Sequence, residues 1–298
     1  MRRLNWFLVV LIAAAWVVSN LPVAAAATKL LPRASLDRPD VSELYQVHVI
    51  YALPRDGSDR LLDQVGIIGR SLEVMNTWLQ GATKGRRLRF DRTASGDIDI
   101  SFVKLSRDES TLKAFRSRIR GEIEKEINGL GFNHPRKVYL VYYEGRSTKT
   151  CGASSRPPLL KGNTAVLYLL TSFKKAPPCY KHRFQREKPG WWENTAIHEL
   201  LHTFGFAAEC GKNWSKGSHV SDDKMDILYG GRRGPGRRVI DVGNDDYFNH
   251  GVAGCPDFAN SVFLDPLPSH PELPPAWDAT MHCIYQGYGK RTCKPIGD

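Results

Sequence analysis

The apolar positions of this chain switch between two periods. Tyr45 to Leu53 (Y-Q-V-H-V-I-Y-A-L) is β-branched and aromatic and predicts a strand, closed by a turn at Pro54-Arg55-Asp56-Gly57. Between Arg60 and Gln80, Leu61, Leu62, Val65, Ile68, Leu72, Met75 and Leu79 recur at intervals of three and four residues, mostly, which predicts a helix. Gly85–Asp91 and Ile98–Leu105 read as two strands around Ser95-Gly96-Asp97. Leu112–Leu130 reads as a second amphipathic helix, ended by Gly129 and Gly131. Lys137–Glu144 and Ala165–Leu170 have the near-continuous apolar character of buried strands. A last helical stripe, Ile197, Leu200, Leu201 and Phe204, follows the break at Pro189-Gly190, with Asn194 as its expected N-cap. Gly205 stands where that helix must stop.

This order predicts an α+β fold, a mixed β-sheet backed by helices. Beyond Cys210 the periodicity fades and Gly, Pro and Asp dominate, so a loop-rich C-terminal part is expected, with Pro266–Pro275 over the surface of the same unit. Residues 44–298 are read as one domain, with a sheet-and-helix part over 44–209 and a loop-rich subdomain over 210–298.

The first residues change the picture of where the protein works. Arg2-Arg3, the apolar run Trp6–Val18 and the alanines Ala24–Ala27 have the form of a signal peptide over 1–27, cleaved before Thr28. No later stretch is apolar enough to span a bilayer, so the mature chain is expected to be secreted and extracellular, with no membrane span, and monomeric. It keeps about 270 residues, enough for one enzyme domain. Residues 28–43, with Pro32 and Pro39, are expected to form a flexible lead-in. All six cysteines lie in the mature part, which argues for three disulfides. Proximity suggests Cys151–Cys179, Cys210–Cys255 and Cys283–Cys293; no C-x-x-C pair favours a cysteine-held metal instead.

The formal charge of +11 at pH 7 falls to +9 once Arg2 and Arg3 are removed. Such a surface suits an anionic surface polymer or an acidic substrate, and equally a well-solvated secreted protein; no specific nucleic-acid partner is indicated. Basic clusters occur at Lys84–Arg89, Lys181–Lys188 and Arg232–Arg238, the second just before the last helix, where it could line a cleft rim.

The chemistry concentrates in Trp191–Phe206, which contains His198-Glu199-Leu200-Leu201-His202. On a helix His198 and His202 are one turn apart on one face, close enough for two imidazole nitrogens to bind one Zn²⁺ at about 2.0–2.1 Å. Glu199 projects to the side, able to hold a water without ligating metal. An ordinary amphipathic helix with two half-exposed histidines is the plainer alternative. A catalytic zinc site needs a third protein ligand.

His198-Glu199-Leu200-Leu201-His202-Thr203-Phe204-Gly205 resembles the opening of the metzincin motif H-E-x-x-H-x-x-G-x-x-H. Asp226-Ile227-Leu228-Tyr229 and Asp241–Tyr247 resemble the D-L-M-Y and D-V-G-x-D-D-Y segments of secreted bacterial H-E-L-L-H proteins. The resemblance implies a zincin-type sheet carrying the active-site helix, and a zinc metallopeptidase with Glu199 as general base. It departs at two points. The metzincin third ligand falls on Ala208, which cannot bind metal, and Leu228 stands where that family has a methionine beneath the zinc; Met225 is three residues early. His219, in the loop after Gly205, is the first choice for the third ligand, with Glu209 and Asp222 next and His250 more distant.

The resulting expectation is a secreted endopeptidase that takes a peptide or protein substrate by β-augmentation along the Ala165–Leu170 strand. The alternatives are a non-catalytic binding protein or adhesin on a peptidase scaffold, and a zinc amidase acting on cell-wall peptide. Tyr229 is a candidate oxyanion donor, though a packed tyrosine is the commoner case. His48 is expected to be a packed core histidine, and Asp241–Asp246 a polar turn rather than a Ca²⁺ loop.

Overall fold

The computed structural model describes residues 33–156, 162–172, 179–185, 187–231 and 237–273, with the backbone of 281–285 and 291–295. The signal peptide expected over 1–27 lies outside the described residues. A five-stranded sheet forms the frame, in the order β3-β1-β4-β6-β5. Its strands are β1 (Gln46–Leu53), β3 (Ile100–Lys104), β4 (Lys137–Tyr143), β5 (Gly152–Ala153) and β6 (Thr164–Tyr168). Four are parallel; only β5, on the edge beside β6, runs antiparallel. Every residue of β1, β4 and β6 is buried, as their unbroken apolar runs require of parallel strands covered on both faces. The mixed sheet is therefore mostly parallel, an α/β arrangement rather than the α+β class expected.

The period-2 alternation along β1 and β4 sorts their side chains into two cores. Val47, Val49, Tyr51, Val138 and Leu140 face α1 (Ile67–Ala82) and α4 (Trp191–Phe204), meeting Leu72, Met75, Ala196 and Leu200. Ile50, Ala52, Tyr139, Val141 and Val166 face α3 (Ile119–Gly129), meeting Ile119, Ile123 and Ile127. Each fully buried Leu, Ile or Val contributes roughly 1.5–3 kcal/mol relative to exposure.

Two helices are shorter than their apolar spacing predicts. Leu61 and Gly66 both have positive φ (56° and 74°), so the chain turns twice before α1 can begin at Ile67. Arg116 (φ 54°) divides the expected 112–130 helix into α2 (Glu109–Ala114) and α3 with a short 3₁₀ turn between them. The strand expected over 85–91 is reduced to β2 (Arg87–Leu88), which pairs with the late strand β9 (Leu264–Asp265), and to a bridge of Phe90 to Val47. Among the described residues the loop-rich part forms no separate core. Ile227, Leu228, Ile240, Tyr247, Phe258 and Phe263 join the cluster around α4.

Residues 33–43, expected as a flexible lead-in, are tied down by charge. Lys137 is 1 % exposed and its ammonium lies 2.7, 2.5 and 2.7 Å from carboxylates of Asp37, Asp40 and Asp91. Burial works against that charge, but the three carboxylates outweigh it and raise the Lys137 pKa. Ala34 bridges Ser101 at the β3 edge, and Arg33 pairs with Asp59 and Asp63. His48 is a packed core histidine, as expected, with Nδ1 2.8 Å from Asp91 and Nε2 3.0 Å from Ser101.

Two of the expected disulfides are present, Cys151–Cys179 and Cys210–Cys255. For the third, the hairpin of β10 (Met281–Tyr285) and β11 (Arg291–Pro295) sets Cys283 opposite Cys293 in the backbone register; their side chains lie outside the described residues.

Candidate metal centre

The helix that carries His198 is fixed at both ends by short-range rules. Its first residue is Trp191 and its N-cap is Gly190, not Asn194, which lies within the first turn. The Gly190 N–H donates to Glu193 Oε2 at 2.8 Å, and the Ser71 hydroxyl donates to the other oxygen. This closes the start of the helix and ties it to α1. Burial raises the Glu193 pKa, against the pull of these hydrogen bonds. At the other end Gly205 adopts φ 98°, and the Phe206 N–H returns to Leu201 O at 2.9 Å. A side chain at Gly205 would strain this left-handed stop.

Beyond the stop, β7 (Trp214–Ser215) and β8 (His219–Val220) form a small hairpin through Gly217 and Ser218, both at positive φ. Val220 pairs in turn with the 228–230 segment: its N–H donates to Leu228 O and its carbonyl accepts from the Gly230 N–H, each at 3.1 Å. A Cβ on Gly230 would lie 2.8 Å from that of His219, so only glycine admits this approach.

These elements bring His198, His202 and His219 together, with one ring nitrogen from each within 4.8 Å of the others. Nε2 of His198 and Nε2 of His202 are 3.2 Å apart. Tetrahedral ligands at about 2.0–2.1 Å from one zinc ion stand roughly 3.3–3.4 Å apart, so the pair fits that donor geometry. The His219 ring lies 5.3 and 4.9 Å from the other two, centre to centre. His198 Nδ1 lies 2.7 Å from Ile227 O; donation of its proton there orients the ring and leaves Nε2 as the lone-pair nitrogen.

The other sites considered for a third ligand are elsewhere. Glu209 is exposed, and the exposed Asp222 groups with Asp245 and the buried Asp246. His250 directs its ring to Pro256 O. Ala208 follows the helix stop as a half-buried apolar residue.

Glu199 projects beside the histidines and accepts a hydrogen bond from Ser154 Oγ at 2.5 Å. A Cβ at Gly152 would meet Glu199 Oε1 at 2.7 Å, so the edge strand lies directly against the carboxylate. His198, Glu199 and His219 open into a cleft of about 540 Å³, rimmed by Trp191, Tyr229 and the edge-strand segment. The cleft borders β5, not the Ala165–Leu170 strand, whose outer side is covered by β5.

The Asp226–Tyr229 segment, which meets His198 through the Ile227 carbonyl, is itself firmly packed. Leu228 is fully buried, and Asp226 accepts from the N–H groups of Leu228 and Val242 and from the Tyr247 hydroxyl. Burial pushes the Asp226 carboxyl up to about 7, against those hydrogen bonds. Asp241 accepts the N–H groups of Asp245, Asp246, Tyr247 and Phe248, so the 241–247 run is the polar turn expected of it. Ser154, Gly152 and the Ile227 carbonyl were not legible beforehand, since their roles come from tertiary pairing and no residue pattern announces them.

No family model matches the chain, and neither does any curated protein. Among solved structures, archaemetzincin (amzA) from Methanopyrus kandleri is 16% identical over 68% of this chain and 86% of its own, with a TM-score of 0.34. Wild-type OgpA from Akkermansia muciniphila is 15% identical over 60% of this chain, at a TM-score of 0.31. Metalloproteinase-II from Bacteroides fragilis is 14% identical over 70%, at 0.30. The match spans 52% of each of these last two chains. TM-scores this low do not establish a shared fold, and any functional reading must rest on the residues of the cleft.

Proposed function

We propose that the protein is an exported zinc-dependent endopeptidase. The observation that carries this reading is the convergence of three imidazoles with a flanking glutamate at the foot of a cleft that runs beside a sheet edge. His198, His202 and His219 would hold the metal, a set of neutral nitrogen donors suited to catalytic zinc. Zinc, when bound, lowers the pKa of a water to about 7 and polarises the scissile carbonyl.

The residues of the chain do the rest. Glu199 takes the proton of the attacking water and passes it to the leaving amine, with Ser154 holding one of its oxygens, Oε2, in place. The Ile227 carbonyl keeps His198 in the required tautomer. The edge strand β5 receives an extended peptide by backbone pairing, and Tyr229, which lines the cleft, is the candidate donor to the oxyanion. Export accords with the disulfides, which persist in oxidising compartments, and among the described residues no helix is long and apolar enough to cross a membrane.

The test compares zinc-loaded wild type with Glu199→Gln on a mixture of unstructured peptides read by mass spectrometry. Cleavage by wild type, reduced about a thousandfold in the variant with zinc content unchanged, is the expected result. Equal cleavage by both would remove Glu199 from the mechanism. No cleavage by a zinc-loaded wild type would leave a binding protein or an amidase for non-protein substrates.

A further inference from the structure

The fixed charges of the cleft are unbalanced. Among its described lining residues Glu199 is the only acid, and it is engaged by Ser154. Two cations line the same space, Lys149 and Arg156, one on each side of β5 in the sequence. Both are exposed, and among the described residues neither forms an ion pair.

The two are tethered differently, Lys149 by the turn its backbone occupies and Arg156 by its guanidinium. Lys149 sits in a turn in which the Ser147 hydroxyl donates to Thr150 O at 2.5 Å and accepts the Thr150 N–H at 2.9 Å. The turn leads directly into the Cys151–Cys179 disulfide. Arg156 follows Ser154 by two residues, and its Nη1 donates a long hydrogen bond, 3.3 Å, to Gly217 O. Its position relative to the histidines is defined by Gly217. One point beside that Cα is 3.2 Å from Arg156 Nη1 and 3.4 Å from His219 Nδ1. Arg156 Nη1 and His219 Nδ1 thus both flank Gly217, and the guanidinium reaches from the segment after the edge strand to the β7–β8 turn.

We infer that the cleft selects peptides bearing a carboxylate close to the scissile bond, gripped by Arg156 and assisted by Lys149; this rests on the peptidase reading above. A planar guanidinium that lines the cleft offers a fork that fits a carboxylate, and a second cation at the rim raises the local concentration of anionic substrates. The carboxylate can come from an Asp or Glu side chain or from the C-terminus of a short peptide. The chemistry is the same, and the two sources separate by experiment.

The test uses matched decapeptide pools carrying Glu or Gln at successive positions, each with free and with amidated C-termini. Zinc-loaded wild type, Arg156→Gln, Arg156→Glu and Lys149→Gln are compared by mass spectrometry. Arg156→Gln removes the charge together with the long contact to Gly217 O, which the shorter side chain cannot reach, and zinc content checks that the histidines are undisturbed. Wild type is expected to favour Glu over Gln at one subsite by about tenfold in kcat/KM. That ratio should fall to near one in Arg156→Gln, invert in Arg156→Glu, and drop about two- to threefold in Lys149→Gln. A preference that follows the free C-terminus instead, and is lost on amidation, assigns the same grip to a terminal carboxylate.

Cleavage without an acidic preference, or a preference that survives Arg156→Gln, overturns the inference and leaves the peptidase reading intact. Binding of the same pools to Glu199→Gln, followed by fluorescence anisotropy, separates the remaining cases. Arg156-dependent binding of Glu peptides without any wild-type cleavage would keep the anion grip and sink the peptidase. Neither cleavage nor selective binding would sink both.

Discussion

Ser154 Oγ donates to Glu199 Oε2 at 2.5 Å, which ties the segment after the edge strand to the carboxylate assigned as general base. The same segment brings Gly152 so close that a Cβ there would lie 2.5 Å from Thr195 Cγ2 and 2.7 Å from Glu199 Oε1. The two contacts fix the carboxylate from one side. Ser154→Ala removes a hydrogen bond to a charged group and should lower kcat/KM about tenfold, with KM little changed. Gly152→Ala must push Glu199 or Thr195 aside and should cost about a hundredfold, since small misplacements of a catalytic group are expensive. Both variants should retain zinc. Loss of zinc along with activity would show that the segment supports the metal ligands instead.

The metal should stabilise the fold through the three histidines. Binding to the native state alone adds about 2.7 kcal/mol when free zinc is a hundred times Kd, or roughly 5–10 °C in Tm for a domain of this size. Chelation should therefore lower the Tm of wild type. In His219→Ala the zinc-dependent part of that Tm should nearly vanish, with zinc affinity down by a hundredfold or more. Gly230→Ala should produce a milder form of the same defect, because its methyl would crowd the His219 Cβ at 2.8 Å. Scanning calorimetry with and without zinc checks all three. An undiminished zinc response in His219→Ala would transfer the third-ligand role to another residue.

The parts that were legible in the sequence are those encoded by local periodicity. The runs Tyr45–Leu53 and Lys137–Glu144 became the two central strands because parallel strands buried on both faces need unbroken apolar sequence. His198 and His202 share a face by helical geometry alone. The return of His219 was legible only as a loop of sufficient length, and its actual route depends on the pairing of Val220 with Leu228 and Gly230. Arg116 and Leu61 look like ordinary helix residues, yet they take positive φ, a backbone state that no residue pattern announces, and the helices break there. The edge strand escaped notice because β5 is two residues long, Gly and Ala, and carries no strand signal.

The two disulfides should separate in their effects. Cys151–Cys179 borders the cleft, and the Cys179 carbonyl accepts the Trp192 indole N–H at 2.8 Å, linking the edge strand to the first turn of α4. Cys210–Cys255 anchors the loop beyond the helix stop, and neither of its cysteines lines the cleft. Removing either pair by double alanine substitution should cost about 2–4 kcal/mol in stability. Only loss of Cys151–Cys179 should also raise KM, because the strand that receives substrate loses its anchor. Urea unfolding and steady-state kinetics on both variants measure the difference; equal KM values would detach the edge strand from substrate binding.

Asp226 gives the site a pH dependence of stability whose sign can be worked out. Burial pushes its carboxyl up to about 7 in the folded state, against an ordinary value of 3.8. A group raised in this way holds its proton in the folded chain where the unfolded chain has released it. Its contribution is therefore complete below the unfolded value and is lost as pH rises toward 7. Above that the loss is complete and stability levels off. The donors from Leu228, Val242 and Tyr247 favour the ionised form and moderate the size of the effect. Between pH 5 and pH 7 the metal-free wild type should lose about 2 kcal/mol relative to Asp226→Asn, whose side chain cannot ionise. Urea midpoints of the two proteins across that interval give the difference directly. If the two curves run parallel, the Asp226 carboxyl is already ionised at pH 5 and its three donors outweigh its burial.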